Sequence, residues 1–139
     1  MTLKIEEKIE LSRYRMEKAR RLLRDASSLF SNGSYESSVN RSYFAVLTAS
    51  RALLILRGID PETHEGVKTM LSKEFIRTGL LPKESGETFR SIQARRIDSD
   101  YGDYIEIGYE EADDSLKRAQ GFVEKAEDLL NQLIKGYSK

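Results

Sequence analysis

The chain has no cysteine, no tryptophan, two prolines, a single histidine and no net charge. Without cysteine there are no disulfides, no thiolate catalysis and no Cys-based zinc or iron–sulfur site, and the composition fits a reducing, cytoplasmic compartment. One histidine cannot supply the paired imidazoles of the common zinc motifs, and no His-Glu-x-x-His pattern exists, so neither a metal nor another cofactor is expected. The 23 basic and 23 acidic residues balance, so no global positive field attracts nucleic acid, and any such contact must come from a local patch. No apolar run approaches the roughly 20 residues needed to cross a bilayer. The first ten residues, MTLKIEEKIE, alternate charge with apolar side chains and lack the core of a signal peptide. A Gly-rich phosphate loop is missing too, as is a nucleophile elbow around Ser42, Thr48 or Ser50, which argues against an autonomous NTPase, a kinase or a serine hydrolase.

What remains is rich in Leu, Ala, Glu, Lys and Arg, the composition of an all-α protein, and 139 residues suit one domain spanning 1–139. Apolar residues at helical spacing predict a first helix from a cap at Thr2 to Phe30, interrupted only by Ser12. Ser31-Asn32-Gly33-Ser34 stops that helix and restarts the chain, so the first two helices should form an antiparallel hairpin. The second helix is predicted from Tyr35 to Arg57. Its centre, NRSYFAVLTASRALL, is apolar nearly all round, which marks a helix buried in the middle of a bundle or shared with a second subunit. Asn40, Arg41 and Arg51 interrupt this stretch and need partners wherever they are protected from water.

Pro61 breaks the chain, and Thr63 can cap a third helix over His64–Thr78. A fourth is predicted from Ser85 or Gly86 to Ser99, followed by a polar, Tyr-rich loop, DSDYGDYIEIG, over 98–108. The last helix carries a continuous seam of Ala112, Leu116, Ala119, Val123, Ala126, Leu130, Leu133 and Tyr137. Five helices in an antiparallel, up-and-down bundle are therefore expected.

Two features can carry chemistry. His64 has an unperturbed pKa near neutrality and could act as acid or base, or simply hydrogen-bond locally at a helix start. Arg90, Arg95 and Arg96 leave the fourth helix beside Tyr101 and Tyr104. Arginine grips phosphate bidentately and tyrosine stacks on bases, although Asp98, Asp100 and Asp103 could equally tie these arginines into a structural network. The adjacent carboxylates Glu110-Glu111 and Asp113-Asp114 sit where a helix dipole favours negative charge, and read as helix-starting residues.

The order Asn40-Arg41-Ser42-Tyr43-Phe44-Ala45, Ala52-Leu53-Leu54, Arg57-Gly58-Ile59, His64-Glu65-Gly66, Arg96…Asp100-Tyr101 and Ala119…Phe122-Val123 resembles a small prokaryotic branch of HEPN-domain proteins, across roughly Ile5 to Leu133. The resemblance implies a five-helix bundle that homodimerises, often paired in toxin–antitoxin fashion with a minimal nucleotidyltransferase. Active members of the family are metal-independent ribonucleases with an Arg-x4–6-His motif near the dimer cleft. In this chain positions 101 to 103 are Tyr, Gly and Asp, so the motif histidine is missing after Arg96.

The resemblance makes Arg96, Tyr101 and His64 the catalytic candidates. Arg95, Arg96, Asn40 and Arg41 are those for binding RNA or nucleotide phosphate. Tyr101 and Tyr104 are candidate sites of nucleotidylation by the partner. Two readings follow: an RNA-binding and RNA-cleaving protein, or a non-catalytic dimeric partner, including a nucleotide-binding subunit, of a nucleotidyltransferase.

Overall fold

The computed structural model describes residues 2–101 and 106–137, with the side chains of residues 98–101 set aside. Helix α1 (Ile5–Ser31) turns through Asn32–Ser34 into α2 (Tyr35–Leu56). The turn is closed by Ser34 N–H donating to Leu29 O at 2.9 Å and by Gly33 at φ +78°. That left-handed conformation is why Asn-Gly ends the helix here. The end of α2 repeats the device, with Gly58 at φ +76° and Ile59 N–H bonded to Leu54 O at 3.0 Å.

Helix α1 starts three residues later than Thr2. Lys4 is its N-cap, and the Glu7 carboxylate turns back to accept from the Lys4 backbone N–H at 2.9 Å. Ser12, the polar interruption of the α1 stripe, is fully buried and donates to Ile9 O at 2.8 Å. Its hydroxyl is thereby satisfied inside the helix.

Helix α2 is the centre of the molecule. Val39, Tyr43, Ala45, Val46, Ala49, Ala52, Leu53 and Leu54 are all fully buried, because α1, α3, α4 and α5 each pack against α2. Helix α5 (Tyr109–Tyr137) closes the long bundle against α1 and α2, and Ala119, Phe122, Val123, Ala126 and Leu130 bury its seam. Among the described residues the structure is helical with no strand, and no helix is long and apolar enough to cross a membrane.

The shorter elements position the site. Helix α3 (His64–Leu71) begins on the cap expected for it, with Thr63 Oγ1 accepting from Gly66 N–H at 2.9 Å. It then loosens into a π-helical turn over Ser72–Ile76 instead of continuing as α-helix to Thr78. Helix α4 spans Lys83–Tyr101, longer at both ends than its apolar residues predict. It starts directly after Pro82, which cannot donate a backbone N–H and so suits a helix start. At its other end it runs into the segment expected to be loop. Asp98, Ser99 and Asp100 carry no apolar side chain at the helix end, so no apolar period marks that extension in the sequence.

Candidate functional site

Helix α2 presents Tyr43 and Phe44 as neighbouring rings, 5.3 Å apart and edge-on. Tyr43 is fully buried and rests edge-on against Phe89 of α4, while Phe44 is half-buried. Two groups from other helices converge on this pair. The Arg96 guanidinium of α4 lies 5.3 Å from each of the two ring centroids. Cations at such distances over aromatic faces are held by the ring quadrupole, by about 0.5–2 kcal/mol depending on desolvation. His64, the first residue of α3, stands 5.7 Å from the Tyr43 ring and 6.0 Å from the Phe44 ring. Its Nδ1 is 3.0 Å from the Tyr43 hydroxyl.

The groups behind His64 favour one tautomer. Lys68 Nζ donates to Gln93 Oε1 at 3.2 Å, which leaves the Gln93 amide as a donor. Gln93 also lowers the Tyr43 pKa, as an amide donor near its hydroxyl does. With the Gln93 amide on the donor side of the Tyr43 hydroxyl, we assign that hydroxyl as the donor to His64 Nδ1, which puts the imidazole proton on Nε2.

Electrostatics agrees with a neutral ring. Desolvation lowers the His64 pKa from its ordinary value, and the positive charges of Arg51 and Arg96 push it the same way. Burial raises the Tyr43 pKa above that of a free phenol, with Arg96 opposing the shift and Glu65 reinforcing it. At neutral pH the site therefore offers an uncharged imidazole with an N–H at Nε2, two guanidiniums and two aromatic rings. Positive charge beside a half-exposed ring suits a phosphodiester whose base can stack.

Arg96 and His64, distant in sequence, are thus brought to one pair of rings. Asn40 lies one helical turn from Phe44, on the same face of α2. Arg41 is exposed and is not among the charges that shift His64 or Tyr43.

Arg95 faces the other way. Its Nη1 donates to Asp114 Oδ2 at 2.6 Å, Ser115 Oγ at 3.0 Å and Glu111 O at 3.2 Å. This fastens α4 to the start of α5, a structural role for Arg95. Its partner is Asp114 of α5, one of the paired acids read as helix-starting residues. Burial raises the Asp114 pKa, but hydrogen bonds from Arg95 and Arg118 outweigh that and hold the carboxyl below its usual range.

Tyr101 is the last residue of α4, and its side chain, like all of Tyr104, lies outside the described residues. Sequence reasoning left Tyr43, Phe44, Arg51 and Gln93 off the site. Arg51 carried a readable signal: a charged residue in an apolar helix, seven positions after Phe44 and therefore on its face.

Five helices packed around the central α2 make this an all-α helical-bundle protein. The HEPN domain family model matches residues 12–129, and the chain belongs to that family. A UPF0332 protein of Thermotoga maritima is 34% identical over 127 residues, covering 91% of this chain and 96% of the relative. A protein of Methanocaldococcus jannaschii named "Putative toxin MJ0142" is 35% identical over 141 residues, covering 98% and 95% of the two chains. The crystal structure of TT1696 from Thermus thermophilus superposes with a TM-score of 0.73 at 22% identity, covering 85% of this chain and 97% of that one. At that identity it supports the shared fold alone.

Proposed function

We propose that this chain is a toxin-type HEPN protein that binds RNA at the Arg96–His64 site. Arg96 and Arg51 supply charge to a backbone phosphate, His64 donates from Nε2 to a phosphate oxygen, and the half-exposed Phe44 ring takes a base. The observation that carries this reading is the convergence of Arg96 and His64 on the Tyr43–Phe44 ring pair. Relatives named as toxins support the class of protein. The site is a half-buried patch, and pairing two copies would turn it into a cleft, in line with the homodimer that the family resemblance implies.

A second reading is metal-independent cleavage. It is favoured by His64 arriving at the arginine from another helix, which supplies a histidine that the segment after Arg96 lacks. In that reaction His64 takes the 2′-hydroxyl proton as the 2′-oxygen attacks phosphorus. The 5′-oxygen leaves with a proton from solvent, and a 2′,3′-cyclic phosphate remains. The Nε2–H tautomer opposes this step, because a base needs a free lone pair. Cleavage therefore requires the Tyr43 hydroxyl to turn from donor to acceptor toward Nδ1.

Both readings are tested with purified protein and short single-stranded RNA in chelator-containing buffer. RNA binding that Arg96→Ala weakens supports the first reading, and RNA binding unaffected by Arg96→Ala sinks it. Cyclic-phosphate ends that form with wild type and vanish in His64→Ala establish the second. A partner nucleotidyltransferase that modifies Tyr101 or Tyr104 belongs to the same proposal. Intact-mass analysis after incubation with the transferase and ATP tests it, and no mass gain on either tyrosine overturns it.

A further inference from the structure

Arg90, the arginine of the α4 trio with neither a place in the site nor a bond to α5, lines a separate pocket between the π-helical turn and α4. The cavity measures about 210 Å³ and is walled by Lys68, Lys83, Arg90, Ile76, Gly86 and Phe89, among others. Its lining contains three cations and no carboxylate. Lys68 pairs with Glu65 at 2.9 Å. Among the described residues Lys83 and Arg90 have no ion pair and no side-chain hydrogen bond, so their charge is available to a ligand.

The backbone is shaped to open this space. The π turn, closed by Arg77 N–H on Ser72 O at 2.9 Å, widens the helix opposite α4, a distortion often found at functional sites. Across from it, Gly86 keeps the wall thin. A Cβ there would lie 3.2 Å from Ile76 Cδ1 and 3.5 Å from Arg90 Nη1.

We propose that this pocket is a second phosphate subsite, holding a flanking nucleotide of the strand bound at Arg96. That the strand is RNA rests on the function proposed above, whereas the preference for a phosphate-bearing ligand rests on the pocket. The volume is below the roughly 300 Å³ at which drug-sized ligand sites begin, so it suits one phosphate with part of its nucleoside. The two sites are joined. Lys68 reaches from the pocket to Gln93, and Gln93 is three residues from both Arg90 and Arg96. Arg90 and Arg96 are about 9 Å apart along the α4 axis, a distance a single strand spans while passing Gln93.

The test is fluorescence anisotropy of single-stranded RNA across a salt series, with wild type, Lys83→Ala/Arg90→Ala and Arg96→Ala. Lys83 and Arg90 are exposed, so the double variant should fold, which circular dichroism checks. Loss of two phosphate contacts should weaken binding about tenfold and flatten the log K versus log salt slope by about 1.4. Weakening in both variants supports the subsite. Weakening in Arg96→Ala alone overturns the subsite and leaves the proposed function standing. Weakening in Lys83→Ala/Arg90→Ala alone supports the pocket and overturns the Arg96 site. No RNA binding by wild type overturns both. Gly86→Ala places a methyl in the pocket without changing charge. Weaker binding by it locates the ligand inside the pocket, and unchanged binding reassigns any effect of the double variant to general surface attraction, which overturns the proposal.

Discussion

The hydroxyl of Tyr43 and Nδ1 of His64 are 3.0 Å apart, and this one hydrogen bond ties the middle of α2 to the first residue of α3. Tyr43 is also the ring that Arg96 overlies. Any change in the charge or tautomer of His64 is therefore felt where the arginine sits.

The protonation state of His64 should report this arrangement directly. Desolvation, Arg51 and Arg96 all lower its pKa, so an NMR titration of its ring protons should give a value below the ordinary 6.5. Arg51→Ala and Arg96→Ala should each move the titration part of the way back, because desolvation remains. A wild-type value at or above 6.5 would refute the electrostatic description of the site.

The same shift has a consequence for stability. A folded-state pKa below the unfolded value means that the unfolded chain binds the extra proton more readily. The stability contribution of His64 is thus fully present above pH 6.5 and is lost as pH falls through the folded pKa. Urea unfolding midpoints should decline over that window in wild type. His64→Gln, which has no titration there, should show a shallower decline. Equal declines in the two proteins would mean that other groups govern this pH range.

Arg95 and Arg96 are adjacent in sequence but should separate cleanly by measurement. Arg95→Ala removes bonds to Asp114, Ser115 and the Glu111 carbonyl. Asp114 keeps Arg118 at 3.0 Å and is partly exposed, so the loss should be about 1–2 kcal/mol with RNA binding retained. Arg96→Ala should weaken RNA binding about threefold, the scale of one lost phosphate contact, with a smaller effect on unfolding. The reverse pattern would reassign the two roles.

That contrast also marks how far the residues could be read unaided. The bundle was legible because Val39, Val46, Leu53 and the α5 seam repeat at helical spacing, and because Asn32-Gly33 and Thr63 carry specific turn and cap chemistry. Membership of the family was legible from the order of its motifs. The direction of Arg95 was not, since two successive helical residues differ by about 100° and only the position of α5 decides which one is buried. The meeting of His64 with Arg96 was equally hidden. It depends on how the short α3 crosses α2, and no local pattern encodes a convergence on one ring pair from 32 positions apart. The π turn over Ser72–Ile76 left no composition signal either, because Val67, Leu71 and Phe75 keep an α-helical period through it.

Tyr43→Phe isolates the hydroxyl from the ring. Phenylalanine keeps the edge-on contact with Phe89 and a face for the Arg96 guanidinium, but loses the bond to His64. The expected loss is about 1 kcal/mol of unfolding free energy. The variant should also raise the His64 pKa, because the bond it removes stabilises the neutral ring. If His64 titrates unchanged in Tyr43→Phe, the tautomer assigned to it does not hold.

Gly66 is the residue on which the placement of His64 depends. A Cβ at this position would lie 3.0 Å from both Pro61 Cβ and Thr63 Oγ1, closer than ordinary packing allows. Gly66→Ala must therefore push the start of α3 away from the Pro61 turn, even though alanine is the better helix former by about 1 kcal/mol. Overpacking of this kind costs about 1–3 kcal/mol, so the net change should be a modest destabilisation accompanied by a looser Thr63 cap. Because His64 shares that cap, its hydrogen bond to Tyr43 should weaken, and its titration should move toward that of a free histidine. Urea unfolding and the NMR titration read the two effects separately. A variant as stable as wild type with an unshifted His64 would show that the turn yields without moving the site.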